Sequence, residues 1–269
     1  MSTLYLLKID LKKMRHYRTF WIICGLYFFM LVTATASGME FLKWLARTIE
    51  GFGQNININR IPLYHFPDIW QNLAWSSGLL KMGIAIMVVV SVTNEYTYRT
   101  LRQNIIDGLS REQFLMSKVL TNVLLSFTSM VLVFLIAVVT GLIYSPQFDY
   151  PYGFTGVGFY PAYCLEVFAF LSFALMLGML VQRSGLTIIL LLNSYLIELI
   201  IKENIDEYVP QLIKFFPLES IMNLVPLPFA RYAFQEIRDY VTWESVLIAL
   251  AWATLFNYFA YLKLKKSDI

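Results

Sequence analysis

Glu95–Lys118, with the sequence EYTYRTLRQNIIDGLSREQFLMSK, is a charged stretch between two long apolar runs. Gly108 can adopt the left-handed conformation with which many helices end. Ser110 and Gln113 have the spacing of a capping box, which begins a helix. We therefore predict a helix, a tight turn and a second helix. Because an apolar run lies on each side, this elbow, residues 94–117, would connect two membrane spans outside the bilayer.

The first half of the elbow also suits a partner protein. Tyr98, Leu101 and Ile105 lie three and four residues apart and therefore share one helix face. Arg99, Arg102 and Asp107 leave polar edges around that face. We predict that the preceding span continues as a helix into the elbow and that this face docks into a groove on another protein.

The composition is that of an integral membrane protein. Hydrophobic residues make up 58% of the 269-residue chain and charged residues 14%, and the mean hydropathy is +0.60. Soluble proteins average about 45–50% apolar and about 25% charged residues. Cys24 and Cys164 fall in apolar runs and indicate neither a disulfide framework nor a zinc cluster. The net charge of +3 is too small to indicate nucleic-acid binding.

The apolar runs predict an all-α integral membrane protein, a single transmembrane domain with six spans. The spans are placed at about residues 19–37, 73–93, 118–144, 162–181, 186–201 and 243–262. Prolines divide the outer segment 202–242, in which we expect short amphipathic or re-entrant helices at 205–216 and 219–225. Another short outer helix is expected near 41–49.

The N-terminal segment, residues 1–18, predicts an amphipathic helix in the inner membrane interface. Its apolar stripe recurs at helical spacing and consists of Leu4, Leu7, Leu11 and Met14. The loops on the side of this helix, which include the elbow and the C-terminus, carry thirteen Lys and Arg residues, against seven on the other side. The positive-inside rule therefore places the elbow and both termini in the cytoplasm.

Polar residues inside the spans are candidate functional residues. Lys81 could snorkel to the outer interface, form an internal salt bridge or face a translocation path. Glu166 and Glu198 are placed near outer span ends, where ionised carboxylates are inexpensive. Asn193 is more central and is a candidate for the translocation path or for an interhelical hydrogen bond.

The elbow resembles the cytoplasmic elbow of ABC-2 type transporter permeases. The resemblance rests on the order Glu95, Arg99-Thr100-Leu101, Gly108-Leu109-Ser110-Arg111 and Lys118, placed between the second and third spans. That family usually has a small residue before the Thr-Leu pair and often a proline before the Ser-Arg pair. This chain departs from the pattern at both places.

The resemblance implies a permease subunit that exports a substrate across the bacterial cytoplasmic (inner) membrane. Two permease subunits, identical or related, would pair, and each would contact a separate nucleotide-binding ATPase subunit through its elbow. The resemblance assigns this coupling to Glu95, Arg99, Arg102, Gly108, Ser110 and Arg111. ATP and Mg would be bound by the ATPase subunit, so no cofactor is expected in this chain.

Motifs of common enzymes are missing from the sequence. No Gly-x-x-x-x-Gly-Lys-Ser/Thr loop for ATP occurs, nor do Gly-x-Ser-x-Gly or His-Glu-x-x-His. His16 and His65 fall on opposite membrane sides by this topology and would not form a metal pair. We therefore expect no enzyme activity in this chain.

Two alternatives to a permease stay open. One is a non-transporting scaffold or sensor that docks a cytoplasmic partner through residues 95–118. The other is a secondary transporter driven by an ion gradient, which is disfavoured because the span centres nearly lack charge and no inverted repeat is visible.

Overall fold

The computed structural model describes residues 3–38, 40, 44, 63–145, 152–206, 209–228 and 238–266. In these ranges all regular secondary structure is helical, which confirms the all-α prediction for this part of the chain. The α-helices are α1 (Thr3–His16), α2 (Arg18–Ala36), α3 (Ile69–Gly78), α4 (Lys81–Thr97), α5 (Thr100–Ile106), α6 (Arg111–Tyr144), α7 (Phe159–Val181), α8 (Ser184–Asp206), α9 (Pro217–Met222) and α10 (Trp243–Lys266). Two short 3-10 helices, Tyr152–Phe154 and Pro210–Phe215, precede α7 and α9.

Five helices in the described ranges are long and apolar enough to cross a membrane, namely α2, α6, α7, α8 and α10. The helix pair α3 and α4 also passes this test when its two members are taken together, with a bend of 40° between them. The prediction of a multi-pass helical membrane protein is thus confirmed. The count is five spans, or six if the bent pair is one span.

The second predicted span, residues 73–93, is not one continuous helix. α3 ends at Gly78, and α4 begins at Lys81 after a bend. A Cβ atom at Gly78 would lie 2.8 Å from the Glu166 Oε1 atom of α7. Glycine therefore leaves room for this carboxylate beside the break, a contact that the local sequence does not reveal.

α6 is longer than its predicted span, residues 118–144. The helix has 34 residues, or about 51 Å at 1.5 Å per residue, whereas the hydrocarbon core of a bilayer is about 30 Å thick. It begins at Arg111, seven residues before the predicted span, where the capping box at Ser110 predicts the start of a helix. The other predicted spans, 19–37, 162–181, 186–201 and 243–262, agree with α2, α7, α8 and α10 to within five residues.

α7 is the central helix of the bundle. In its most apolar window 61% of the residues are buried, against 17% in α8 and 22% in α2 and α10. It packs against α3, α4, α6, α8 and α10. Small residues permit this close packing: a Cβ atom at Gly178 would lie 3.4 Å from the side chain of Val92 in α4.

The short helices of the outer loops are only partly as predicted. The predicted helix at 205–216 is wrong, because α8 continues into this segment and a 3-10 helix follows. The helix predicted at 219–225 corresponds to α9, which begins earlier because Pro217 suits the first position of a helix. The helix expected near 41–49 lies outside the described residues apart from Trp44.

α1 lies at the end of the bundle, and it also packs along α6. Its buried residues are Leu6, Asp10 and Met14, which are spaced four residues apart. Leu7 and Leu11 of the predicted stripe are only half-buried. The predicted apolar face is therefore rotated in the structure, because an acidic side chain stands at the centre of the buried face.

Candidate functional site

The first turn of the elbow interrupts the helix that precedes it. α4 enters the elbow as predicted but ends at Thr97, and Arg99 has a φ of 57°, in the left-handed region, so the predicted continuous helix through Leu101 and Ile105 is interrupted. This conformation costs a residue with a side chain roughly 1–2 kcal/mol of free energy.

The second turn of the elbow is as predicted. Gly108 has a φ of 94°, which favours glycine. The Gln113 backbone N–H donates to the Ser110 hydroxyl at 3.1 Å, and the Ser110 backbone N–H donates to the Gln113 side-chain oxygen at 3.0 Å. The capping box is therefore complete, and it fixes the start of α6.

The predicted docking face of Tyr98, Leu101 and Ile105 is wrong. Leu101 is only 3% exposed, and Ile105 is half-buried. Both side chains pack against the chain itself, because α5 turns back onto α4 after the break at Arg99. Only Tyr98 of this set faces outward.

A different set of side chains is exposed on the elbow. Tyr98 and Ile106 are 63% and 68% exposed, and Arg99 and Arg102 are exposed as well. We call these four residues the elbow surface. It combines two cations with two large apolar side chains, a composition that is common where one protein binds another.

Four charged side chains, Asp10, Lys13, Glu95 and Lys118, form an ionic cluster beside the elbow. Lys118 Nζ lies 2.5 Å from Asp10 Oδ1 and 3.3 Å from Glu95 Oε1. Lys13 Nζ lies 3.4 Å from the same Glu95 oxygen. The side chains of Asp10, Glu95 and Lys118 are at most 6% exposed. The ionic cluster therefore joins α1, α4 and α6 through balanced, buried charges.

Neutral donors complete the hydrogen bonding of both carboxylates. The Thr121 hydroxyl donates to Asp10 Oδ2 at 2.7 Å. The Thr100 hydroxyl and the Asn104 amide, both of α5, donate to Glu95 Oε2. Buried charges are tolerated when each is paired and hydrogen-bonded in this way. Through Glu95 the elbow helix α5 is attached directly to the ionic cluster.

Tyr17 lies between α1 and α2, close to the ionic cluster. Burial raises the pKa of its hydroxyl, and the negative charge of Glu95 raises that pKa further. The phenol is therefore neutral at physiological pH and leaves the charge balance of the ionic cluster unchanged.

The start of α6 is attached to the end of α10. Arg111 Nη1 donates to the Lys265 carbonyl at 2.5 Å, which places a cation at the C-terminal end of a helix, where the helix dipole favours positive charge. The Tyr261 hydroxyl donates to Glu112 Oε1 at 2.9 Å. Consequently α1, the elbow and the end of α10 meet at one end of the bundle.

The residues predicted to couple the elbow to a partner have three different surroundings. Glu95 and Arg111 bond to the chain itself, and Gly108 and Ser110 shape the second turn. Arg99 and Arg102 are the two exposed charged residues of this set.

Sequence reasoning missed Asp10 and the pairing of Lys118. The available signal was that Asp10 is the one acidic residue among the basic residues of α1 and lies four residues from both Leu6 and Met14. A charge at the centre of a helix face that is otherwise apolar requires a partner when that face is buried.

A second buried ion pair lies at the break between α3 and α4. Lys81 Nζ is 2.5 Å from Glu166 Oε1, and the two side chains are 7% and 5% exposed. The rings of Phe170 and Tyr195 lie 5.5 and 5.8 Å from the ammonium group, at distances typical of cation–π contacts. Of the three roles considered for Lys81, the internal salt bridge is the one formed. The expectation that Glu166 lies where an ionised carboxylate is inexpensive is wrong, because its side chain is enclosed in the bundle.

The remaining two polar residues of the spans are Asn193, whose assignment to a translocation path stays a prediction, and Glu198. Asn193 is exposed and donates to the Ile189 carbonyl of its own helix at 2.8 Å, so it makes no interhelical bond within the described chain. Glu198 is only 7% exposed and accepts the backbone N–H groups of Leu218 and Glu219 at 2.9 and 2.6 Å. This carboxylate caps the start of α9 from a neighbouring helix.

The fold and these contacts define a class: a multi-pass helical membrane protein in which an exposed basic elbow is fixed to the bundle by buried charges. The chain belongs to the family described as "Protein of unknown function (DUF2705)", which it matches over residues 57–269. The matched range contains Glu95, Lys118 and the Lys81–Glu166 pair, whereas α1 precedes it. No curated protein matches the chain.

Proposed function

We propose that this chain is the membrane-spanning permease subunit of an ATP-binding-cassette transporter in the bacterial cytoplasmic membrane. Its elbow would dock a separate nucleotide-binding ATPase subunit. The observation that carries the proposal is the placement of the exposed elbow surface directly on the ionic cluster. A force applied to this surface is transmitted through Glu95 and Lys118 to α1, α4 and α6, whereas a flexible loop would absorb it.

The arrangement of the helix ends supports this topology. In the proposal, α3 and α4 form one bent span, and six spans bring both termini to the same side. α1, the elbow and the end of α10 meet at one end of the bundle, and their Lys and Arg residues assign that end to the cytoplasm by the positive-inside rule.

The proposed mechanism is a lever. ATP-driven closure of two nucleotide-binding subunits pushes on the elbows of two paired permease subunits, identical or related. Arg99 and Arg102 make charge-assisted hydrogen bonds with carboxylates of the ATPase subunit. α4 and α6 then carry the motion through the membrane, and export is the direction that the family resemblance implies.

A pull-down in mild detergent tests the proposal. The wild-type chain is purified, bound proteins are identified and ATP hydrolysis is measured. We expect a P-loop ATPase to be recovered with the wild-type chain and to be lost from the variant Arg99→Glu/Arg102→Glu, because the reversed charges repel the acidic surface that binds the elbow.

The matched control is Arg15→Glu/Arg18→Glu, which changes the same charge at two exposed positions near the same end of the bundle. This control variant should keep the ATPase. If the folded wild-type chain retains no ATPase but recovers another cytoplasmic protein through the elbow, the scaffold or sensor function replaces the permease function.

A further inference from the structure

A groove of about 510 Å³ runs along the surface of the bundle between α6, α7 and α10. Its walls are apolar, with Leu115 and Val119 from α6, Phe168 from α7, and Leu250 and Ala253 from α10. This volume lies within the roughly 300–1,000 Å³ typical of ligand sites. The groove therefore has the size and lining of a binding site for an apolar molecule.

The length of the groove matches one leaflet of a bilayer. Its α10 wall extends over twelve residues, from Leu250 to Tyr261, and the eleven steps between them span about 16 Å at 1.5 Å per residue. Half of a hydrocarbon core of about 30 Å is 15 Å. A single acyl chain running from the end of the bundle to the membrane centre would therefore fill the groove.

At one end of the groove, a basic residue lies beyond the last lining residue on each of the two helices α6 and α10. Lys265 follows Tyr261 by four residues on α10, and Arg111 precedes Leu115 by four residues on α6, so both lie on the faces that line it. The bond from Arg111 to the Lys265 carbonyl holds these two positions together.

The acidic residue at this end of the groove, Glu112, already accepts a hydrogen bond. Glu112, which also lines the groove, accepts a hydrogen bond from the Tyr261 hydroxyl at 2.9 Å. Among the described residues at this end of the groove, the exposed Lys265 and Arg111, which also bonds to the Lys265 carbonyl, bring two positive charges, against the one negative charge of Glu112. The same end lies beside the elbow, where the basic residues of the chain collect.

We propose that this groove binds one anionic phospholipid. An acyl chain lies between α6, α7 and α10, and the phosphate of the headgroup lies against Arg111 and Lys265. Basic pockets between membrane helices on the cytoplasmic side bind anionic headgroups for this reason. The site connects the start of α6 to α10, so its lipid stabilises the end of the bundle that also holds the elbow.

Lipid titration of the purified chain tests the site. Thermal unfolding in detergent is followed while phosphatidylglycerol or phosphatidylcholine is added, and native mass spectrometry counts retained lipids. We expect phosphatidylglycerol to raise the unfolding temperature more than phosphatidylcholine. Lys265→Glu should weaken phosphatidylglycerol binding by at least about fivefold, because each basic residue near an anionic headgroup contributes about 1 kcal/mol.

Two matched pairs of variants locate the lipid. Lys266→Glu removes the same charge next to Lys265 but off the groove face, and it should bind as the wild type does. Thr254→Trp fills the groove, whereas Thr128→Trp places the same side chain on an exposed face of α6; each threonine donates to a carbonyl four residues earlier in its helix. Only Thr254→Trp should lose the bound lipid.

Three results would overturn the proposal. The two lipids could stabilise the wild type equally, Lys265→Glu and Lys266→Glu could weaken binding equally, or Thr254→Trp could change the oligomeric state while leaving lipid binding unaltered. The last result would mean that a protein helix occupies the groove. None of these measurements depends on an ATPase partner, so the site can fail without the permease proposal failing, and the reverse is equally true.

Discussion

Two buried lysines of this chain, Lys118 and Lys81, are held in different ways. Lys118 lies between the carboxylates of Asp10 and Glu95 and also donates to a serine hydroxyl of α4 at 3.3 Å. Lys81 pairs with one carboxylate among the described residues, Glu166, and is otherwise surrounded by aromatic rings. One lysine belongs to a polar network near the end of the bundle, and the other belongs to an isolated pair inside it.

The different surroundings of the two lysines indicate which helix contacts each of them stabilises. An isolated buried pair contributes little compared with apolar side chains of equal volume, but removing one partner leaves an uncompensated charge. A network distributes that penalty over more groups and more helices. Lys118 therefore determines how α1, α4 and α6 are joined, whereas Lys81 determines only how α4 lies against α7 at the helix break.

Lys118→Met should have the largest effect, because two carboxylates lose their shared cation. We expect the free energy of unfolding to fall by roughly 5 kcal/mol, at the upper end of the range for breaking a buried pair. The measurement is reversible unfolding in mixed detergent micelles. Asp10→Asn/Lys118→Met, which removes the stranded Asp10 charge and leaves Glu95 with Lys13 as its cation, should be more stable than the single variant. A smaller loss for Lys118→Met than for Lys81→Met would refute the comparison.

Lys81→Met should lower the free energy of unfolding by about 3–4 kcal/mol, because Glu166 alone is left unpaired. Lys81→Met/Glu166→Leu should recover most of this loss, since an apolar pair suits the aromatic surroundings. The same unfolding assay measures both variants. If the double variant were no more stable than the single one, the ion pair would have a role beyond compensating its own two charges.

Lys13→Met should have the smallest effect, about 0.5–1 kcal/mol, because surface ion pairs contribute little. The Lys13 side chain is 28% exposed, and its nitrogen is 3.4 Å from Glu95. The control is Lys12→Met, at an exposed neighbouring position, which should leave stability unchanged. The difference between the two variants should shrink at high salt, because partly exposed pairs are screened; a difference that grows with salt contradicts this account.

The sequence predicts well those features that depend on neighbouring residues. The capping box at Ser110 and Gln113 and the left-handed turn at Gly108 are local hydrogen-bond and backbone preferences, and both are present. The spans follow from apolar length alone, which is why five of the six predicted spans agree with single helices.

Features that depend on distant residues could not be predicted. The break after Gly78 accommodates Glu166, which is 88 residues away in the sequence. The left-handed turn at Arg99 is local but lacks a glycine to indicate it, and the burial of Glu95, to which Thr100 bonds, depends on the distant Lys118 and Lys13. The candidate site was therefore located at the correct segment, but its exposed residues and its attachment to α1 required the structure.

The pairing of Asp10 with Lys118 also sets an order of events during synthesis. The two residues are separated by 108 positions, and a ribosome that adds about 5–20 residues per second needs roughly 5–20 s to cover that distance. During that interval α1 has been synthesised, but Lys118, the partner of its Asp10, has not. α1 must therefore wait at the membrane surface until α6 emerges, and the end of the bundle that carries the elbow is completed only after the third hydrophobic segment has been inserted.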